Sequence, residues 1–241
     1  MSGALIVIPT YNEAENVRPI VAAVRGSVPQ AHVLVVDDDS PDGTGKLADE
    51  LAAADPQVRV LHRPGKEGLG RAYLDAFRWG LARGYDKLVE FDADFSHNPK
   101  YLPAMLETLD RADVAVGSRY VKGGGTVNWG VARKLISGGG SWYARLVLGV
   151  PVRDLTAGFI AWNRRVLEAI DLDRVESAGF IFQVEMKVRA LRKGFRVEEV
   201  PIVFVDRTVG TSKMSRQILV EGLARVWQIR FRLRREEREG K

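Results

Sequence analysis

The segment ALIVIPTYNEAENVRPIVAAVRGSVPQAHVLVVDDDS, residues 4–40, holds two short apolar runs separated by an amphipathic stretch. The runs at 4–8 and 32–40 lack the polar alternation of a half-exposed strand, which predicts two buried strands of a parallel sheet. Residues 12–26 begin with the capping residue Asn12, carry acids in the first turn and end at a glycine, which predicts a helix. This segment therefore predicts a βαβ unit.

The same alternation continues along the chain. Residues 69–84 repeat apolar side chains at the spacing of one helix face, so they predict an amphipathic helix. The pattern as a whole predicts an α/β fold with a mostly parallel central sheet, helices on both faces, and ligands at the carboxyl ends of the strands. The other elements predicted in this part are helices at 43–54 and 99–110 and strands at 58–62, 87–94 and 113–120.

The pattern loosens from residue 118. Glycines over 118–140 predict mobile or substrate-shaped loops. We find no linker long enough to divide the chain, so we predict one domain over residues 1–213 and a basic amphipathic helix or tail over 214–241. The elements predicted beyond the loops are helices at 141–150, 164–170 and 183–194 and a single strand at 195–205.

Composition excludes several kinds of protein. The 241 residues include no cysteine, so a disulfide framework, a thiolate metal site and a thiol nucleophile are all ruled out. A bound metal must use oxygen ligands or one of three histidines. The N-terminus lacks a signal-peptide pattern, and no segment approaches the roughly 18 apolar residues of a membrane span. These features predict a soluble or peripheral protein, compatible with a reducing cytosol.

Two aspartates, Asp92 and Asp94, end the predicted strand at 87–94. On an extended strand they would point the same way, roughly 7 Å apart. A Mg²⁺ or Mn²⁺ ion with a phosphate ligand could neutralise this pair, because these ions keep open positions when one or two carboxylates bind them. The alternative is that the aspartates only begin a solvated turn. We leave His97 out of the metal site, since an isolated histidine is more often structural.

Nine segments occur in order over residues 4–215: IPTYNEAENV, VLVVDDDSPDGTG, GLGRAYLDAFRWG, FDADFSHNP, VGSRYVKGGG, RKLISGGGSWYARLVLG, DLTAGFIAW, GFIFQVEM and VGTSKMS. Together they closely resemble the family 2 glycosyltransferases of the dolichol-phosphate mannose synthase and polyprenol monophosphomannose synthase type. The resemblance implies a GT-A (Rossmann-like) fold, a GDP-mannose donor, a polyprenyl phosphate acceptor, a divalent metal (Mg²⁺ or Mn²⁺) and inversion at the sugar carbon.

The resemblance also assigns roles to individual residues. The D-x-D motif falls on Asp92 and Asp94, and the next metal-binding position falls on Ser96, where many relatives carry glutamine. The catalytic set it implies is Asp92, Asp94 and Arg119. The nucleotide pocket would use Pro9, Tyr11, Glu13, Asp37 and Asp39. The cations that hold phosphates would be Arg119, Arg133, Arg207 and Lys213.

Gln183 and Glu185 form a further candidate pair. They are expected to shape the sugar and acceptor end of the site, and the rival interpretation is a buried pair near the start of a helix.

A phosphate acceptor does not need a general base. Its second pKa is roughly 6, so it is largely ionised at pH 7. The site must instead bring an anionic acceptor toward an anionic diphosphate, which requires cations directed at both. The four basic residues named above meet that requirement.

The C-terminal segment could bring the protein to a membrane surface. Residues 214–241 hold eight of the 36 Lys and Arg residues but only four of the 31 Asp and Glu residues, so nearly all the excess positive charge lies there. Its apolar stripe beside arginines, together with the segment SWYARLVLGV (141–150), fits an interfacial helix on anionic lipid. Equally, the stripe could pack on the domain. The stripe is Ile218, Leu219, Leu223, Val226 and Trp227, and the arginines are Arg225, Arg230, Arg232, Arg234 and Arg235.

Two classes of function remain at this point. The leading prediction is a mannosyltransferase that works peripherally at the cytoplasmic face of the membrane, with or without a separate membrane-anchoring subunit. A UDP-glucose-dependent polyprenyl-phosphate glucosyltransferase is an alternative within the same chemistry. The other class is a catalytically silent nucleotide-sugar-binding subunit, which would not need Asp92, Asp94 and Arg119 together. Nucleic acid is not an expected partner, because no aromatic-rich binding module accompanies the basic tail.

Overall fold

The protein is an α/β structure built on a seven-stranded sheet. The computed structural model describes residues 3–177, 179–205 and 216–239. Within these residues, no helix is long and apolar enough to cross a membrane. The strands are β1 (Ala4–Thr10), β2 (His32–Asp37), β3 (Val58–His62), β4 (Lys87–Glu90), β5 (Val114–Ser118), β6 (Gly125–Val127), β7 (Ile160–Asn163), β8 (Val197–Pro201) and β9 (Val203–Val205). The helices are α1 (Val17–Ser27), α2 (Thr44–Ala54), α3 (Leu69–Ala82), α4 (Leu102–Thr108), α5 (Val131–Leu148), α6 (Arg164–Ala169), α7 (Phe180–Arg192) and α8 (Arg216–Glu239), with short 3₁₀ turns at Pro99–Tyr101 and Leu172–Arg174.

The large sheet has the strand order β3-β2-β1-β4-β7-β5-β8. Strand β7 is antiparallel to both of its neighbours, and the other pairs are parallel. The predicted mostly parallel sheet is therefore confirmed. A separate pair, β6 and β9, forms a small parallel sheet beside it.

Apolar side chains cover both faces of the large sheet. One layer contains Tyr73 and Phe77 of α3 with Met186 of α7, packed on β1, β2, β4 and β5. The opposite layer contains Ile20 of α1 and Met105 of α4, packed on the other face of the same strands. Because alternate residues of each buried strand enter different layers, the strands read as continuous apolar runs in the sequence.

Helix α1 begins later than predicted. It starts at Val17, whereas Asn12 has a φ of 58° and lies in the preceding loop. The loop is held by residues that follow β2: the Glu13 amide donates to Thr44 Oγ1 at 2.9 Å and the Ala14 amide to Asp42 Oδ2 at 3.1 Å. These tertiary hydrogen bonds hold the segment that the sequence pattern had predicted to be a helix start capped by Asn12.

Three other boundaries also differ from the predictions. Strand β4 ends at Glu90, so the two aspartates after it lie in a turn. Helix α5 covers residues 131–148 and includes Gly138, Gly139 and Gly140, three of the glycines that had predicted a loop. The predicted strand at 195–205 divides into β8 and β9, which belong to different sheets. The division follows Pro201, which has no amide hydrogen to continue a ladder.

Helix α8 packs on the domain. Val226, Ile229 and Leu233 are buried against Ala144 and Leu148 of α5 and against apolar residues of α7. Arg230 Nη1 donates to the carbonyl oxygen of Val147 on α5. Of the predicted stripe, Val226 packs on the domain and Trp227 is 43% exposed, while the side chains of Ile218, Leu219 and Leu223 lie outside the described ones.

Replacing Ile229 with alanine should destabilise the protein by about 2–5 kcal/mol, because a buried Ile-to-Ala change loses apolar burial and leaves a cavity. Ile229 is only 2% exposed. Urea unfolding followed by circular dichroism measures the effect. Phe231→Ala is the matched control on the same helix, because its 61% exposure predicts a small change. Equal effects of the two variants would contradict the packing of α8.

Candidate active site

The carboxyl ends of β1, β2 and β4 form one pocket at the edge of the sheet. Thr10 pairs with Asp37 where β1 and β2 end, and Val7 pairs with Glu90 where β4 ends. The last residues of β1, the loops that follow β1, β2, β3 and β4, and the start of α3 supply the lining. The lining residues are Pro9, Thr10, Tyr11, Glu13, Asp38, Lys66, Gly68, Leu69, Ala72, Asp92, Ala93 and Asp94.

Asp92 and Asp94 both line this pocket, as predicted, although they are not on an extended strand. The Phe91 amide still bonds to the Val7 carbonyl at 3.0 Å, and the chain then turns, with a φ of 58° at Phe95. Asp92 Oδ1 accepts a hydrogen bond from the Tyr73 hydroxyl at 3.2 Å. Asp94 Oδ1 accepts one from the Ser96 amide at 2.9 Å. The turn thus brings two carboxylates of one motif to the same pocket.

Ser96 and His97 lie just behind this turn and are both buried. His97 Nε2 is 3.9 Å from Asp92 Oδ2, and its ring packs against Phe159 and Phe204. Metal binding by the Ser96 hydroxyl stays a prediction.

Among the predicted nucleotide-binding residues, Pro9, Tyr11 and Glu13 line the pocket. Asp37 instead holds the end of the sheet together, since its carboxylate accepts from Thr10 Oγ1 at 3.2 Å and from Ser40 Oγ at 2.6 Å. The pocket wall carries neither Asp37 nor the exposed Asp39 but the residue between them.

That residue is Asp38, and the sequence analysis did not include it among the nucleotide-binding residues. It is 6% exposed, and its Oδ1 accepts from Arg63 Nη1 at 2.5 Å. Burial raises the pKa of Asp38, against the opposing effect of Arg63. Arg63 also bonds Glu67 and Asp75, so a buried guanidinium fixes the wall. Three consecutive aspartates cannot all face one pocket. The run of three therefore indicates that the fold decides which of them lines it.

Lys66 is a second lining residue that the sequence patterns did not indicate. Its ammonium lies 3.8 Å from the centre of the Tyr11 ring. This cation–π contact brings a positive charge to the wall of the pocket that carries Tyr11.

Arg119 lies next to a carboxylate that was not predicted, Asp154. Its Nε donates to Asp154 Oδ2 and its Nη2 to Asp154 Oδ1, both at 2.7 Å. The Arg119 side chain is 9% exposed and that of Asp154 is 0% exposed. Burial alone would lower the pKa of Arg119, but the hydrogen bonds and charge of Asp154 outweigh it and raise that pKa. The structure therefore shows Arg119 in a buried bidentate ion pair.

Arg133 and Arg119 approach one indole ring. The guanidinium carbon of Arg133 is 4.3 Å from the ring centre of Trp129, and that of Arg119 is 5.4 Å from it. Arg119 is paired with Asp154, and Arg133 is half-buried beside the same ring. The other predicted phosphate-holding residues, Arg207 and Lys213, lie outside the described residues.

Gln183 and Glu185 have different surroundings. Gln183 Nε2 donates to the buried Glu90 at 2.5 Å, at the end of β4. Glu185 is 0% exposed and pairs with Arg189 at 2.8 Å and with Arg232 of α8 at 2.5 Å. Both residues are buried near the start of α7, and Glu185 joins α7 to α8. Their surroundings differ because residues two apart on a helix point in different directions. A role for the pair at the acceptor end stays a prediction.

Comparison with known proteins identifies the class. A family model described as "Glycosyl transferase family 2" matches residues 5–171, and the chain belongs to this family. It is 54% identical over 222 residues to undecaprenyl-phosphate mannosyltransferase of Micrococcus luteus, covering 92% of this chain and 91% of that protein. It is 53% identical over 235 residues to polyprenol monophosphomannose synthase of Mycolicibacterium smegmatis, covering 96% and 89%.

The fold also matches a solved structure. Glucosyl-3-phosphoglycerate synthase of Mycobacterium tuberculosis, crystallised with Mn²⁺, UDP and glucosyl-3-phosphoglycerate, aligns with a TM-score of 0.66 at 17% identity. The alignment covers 94% of this chain and 78% of that one. The predicted GT-A-like fold is therefore confirmed.

Proposed function

We propose that the protein transfers mannose from GDP-mannose to a polyprenyl phosphate, with inversion at the sugar carbon, giving polyprenyl-phosphate mannose and GDP. The observation that carries this proposal is the 54% identity, over 92% of the chain, to an undecaprenyl-phosphate mannosyltransferase. The pocket at the strand ends supports it, because its lining includes Tyr11, Asp38, Asp92 and Asp94.

Asp92 and Asp94 would hold a Mg²⁺ or Mn²⁺ ion, with Ser96 as the third predicted ligand. In the described part of the chain, no group of three or more His, Asp or Glu side chains is arranged to hold an ion by itself. A pair of carboxylates suits a metal that takes its remaining ligands from phosphate and water. When bound, this ion would neutralise charge on the donor diphosphate.

The acceptor phosphate would attack the sugar directly. One of its oxygens forms the new bond to the anomeric carbon, and the bond from that carbon to the diphosphate breaks with its electrons leaving on GDP. The acceptor is already ionised at pH 7, so no residue has to take a proton from it. Arg133, Arg119, Arg207 and Lys213 would hold the acceptor phosphate.

Asp38 would accept from the base of the nucleotide. The Watson–Crick edge of guanine presents two adjacent N–H donors and that of uracil presents one, so a carboxylate in the pocket wall can accept from either base. Arg63 fixes Asp38 in the pocket wall.

The test is transfer by the purified protein. GDP-mannose and UDP-glucose are each supplied with a short polyprenyl phosphate, with and without a chelator, and lipid-linked sugar is measured. We expect transfer from GDP-mannose alone and its loss with the chelator. Transfer from UDP-glucose would support the glucosyltransferase alternative, and no transfer from either donor would support the silent binding subunit.

A membrane surface is the second partner in this proposal. Two helices that pack together, α5 and α8, expose large apolar side chains, and we call these residues the α5–α8 apolar surface. Arginines on both helices would complement anionic lipid headgroups. Tyr143 and Val147, in the segment 141–150, are partly buried against the apolar cluster between α5, α7 and α8. The surface consists of Val131, Leu135, Ile136, Trp142, Leu146, Trp227 and Phe231. It would hold the enzyme peripherally at the cytoplasmic face, with or without an anchoring subunit.

The double variant Trp142→Ser and Leu146→Ser should weaken binding to anionic vesicles by at least about tenfold, because two side chains lose apolar burial in the interface. These residues are 62% and 60% exposed, so the fold should tolerate the changes. Sedimentation with phosphatidylcholine and phosphatidylglycerol vesicles measures binding. Val127→Ser, at 43% exposure on β6, is the control and should bind like the wild type. Unchanged binding by the double variant would remove the membrane role of this surface. Deleting α8 is a poorer test, since its buried residues stabilise the domain.

A further inference from the structure

Tyr73 is a tyrosine inside the apolar layer of the sheet. It lies on α3 and is 0% exposed. Its ring stacks on Phe77 at 6.1 Å and on Phe182 of α7 at 6.2 Å between ring centres. The preceding residue, Ala72, lines the donor pocket. Helix α3 therefore contributes to the pocket wall and places a phenol directly behind it.

The phenol hydroxyl is directed at the metal-binding motif. It donates to Asp92 Oδ1 at 3.2 Å. A buried hydroxyl among aromatic rings is costly unless it has a hydrogen-bond partner, and Asp92 provides one. A phenol is protonated at neutral pH, so this hydroxyl is a donor to the carboxylate.

The two aspartates of the motif are oriented by different means. Asp94 is held by the Ser96 amide of its own turn. Asp92 depends on side chains from elsewhere: Tyr73 contacts one oxygen, and His97 Nε2 lies 3.9 Å from the other. Helix α3 thus reaches Asp92 through the Tyr73 hydroxyl.

We propose that Tyr73 is a positioning residue that holds Asp92 in the orientation required to bind the divalent cation. Hydrogen bonds to a ligating carboxylate fix its direction, and their removal typically lowers metal affinity by about 10- to 100-fold. The proposal rests on the metal role assigned to Asp92 above. It does not depend on which sugar is transferred or on the acceptor.

The experiment compares two Tyr→Phe variants of the full chain. Tyr73→Phe removes only the hydroxyl that contacts Asp92. Tyr85→Phe is the matched control, because Tyr85 belongs to the same core layer and its hydroxyl bonds His32 Nδ1 at 2.5 Å, away from the aspartates. Mn²⁺ affinity is measured by electron paramagnetic resonance in the presence of GDP, and stability by urea unfolding. No acceptor is needed.

We expect Mn²⁺ binding to weaken about tenfold or more in Tyr73→Phe and to stay at the wild-type value in Tyr85→Phe. In turnover assays, the Mn²⁺ concentration for half-maximal activity should rise more than kcat falls. Wild-type Mn²⁺ affinity in Tyr73→Phe, equal weakening in both variants, or no Mn²⁺ binding by the wild type would each overturn the proposal. Failure of sugar transfer with intact Mn²⁺ binding would instead count against the proposed function alone.

Discussion

Mannose transfer should be abolished by Asp92→Asn and by Asp94→Asn, with kcat/KM falling by at least about 1000-fold, equivalent to about 4 kcal/mol. Each variant removes one of the two negative charges that would hold the metal, and metal neutralisation of a diphosphate supplies several kcal/mol of transition-state stabilisation. Asparagine is preferred to alanine because its oxygen can still accept from the Tyr73 hydroxyl or the Ser96 amide. The fold should therefore remain intact.

The control for these variants is Glu107→Gln, an exposed carboxylate on α4. It makes the same change of charge outside the pocket and should retain wild-type turnover. Circular dichroism and urea unfolding establish that each variant is folded. Substantial transfer by a folded Asp94→Asn variant would contradict the assignment of the motif to the metal. The corresponding alanine variants should also be inactive.

The second large effect concerns the buried pair of Arg119 and Asp154. Arg119→Ala should lose most turnover, and it should also reduce stability by about 3–5 kcal/mol, because it leaves a buried carboxylate without its partner. Asp154→Ala should cost a similar amount for the converse reason. These values apply to buried ion pairs, and this pair is one, because the Asp154 side chain is 0% exposed and the two side chains form two hydrogen bonds.

A double variant separates the structural and catalytic parts of that loss. Arg119→Met with Asp154→Leu removes both charges and keeps apolar volume, so it should regain much of the stability that either single variant loses. We expect it to remain inactive, since Arg119 is also proposed to act on a phosphate. Recovery of wild-type turnover together with stability would show that Arg119 serves only the fold. Urea unfolding and kcat/KM for both substrates give the two readouts.

Local patterns determined most of the secondary structure. The apolar runs of β1 and β2 and the one-sided periodicity of α3 were correctly predicted, because these elements bury their residues over long, regular stretches. The start of α1 was predicted wrongly. Its preceding loop is held by Asp42 and Thr44, which are distant in the sequence, and local capping preferences do not include such bonds.

The candidate site was predicted in part. The motif containing Asp92 and Asp94 was identified, and the pocket contains both. The sequence did not indicate that Asp38, among three neighbouring aspartates, lines the pocket. The direction of each side chain depends on the geometry of the turn, which the sequence pattern does not specify. Asp154 was missed as well, since nothing near it in the sequence indicates that it would meet Arg119.

The sequence by itself determined the α/β class, the parallel strands, the family resemblance and the aspartate pair that follows the fourth strand. Each depends on residues close together in the chain, or on segments whose order is enough to identify them. Only the tertiary structure decided which carboxylate lines the pocket, that Asp154 pairs with Arg119, and that Tyr73 contacts Asp92. These contacts join residues 19 to 35 positions apart, and the pairing is set by how helices and loops pack on the sheet.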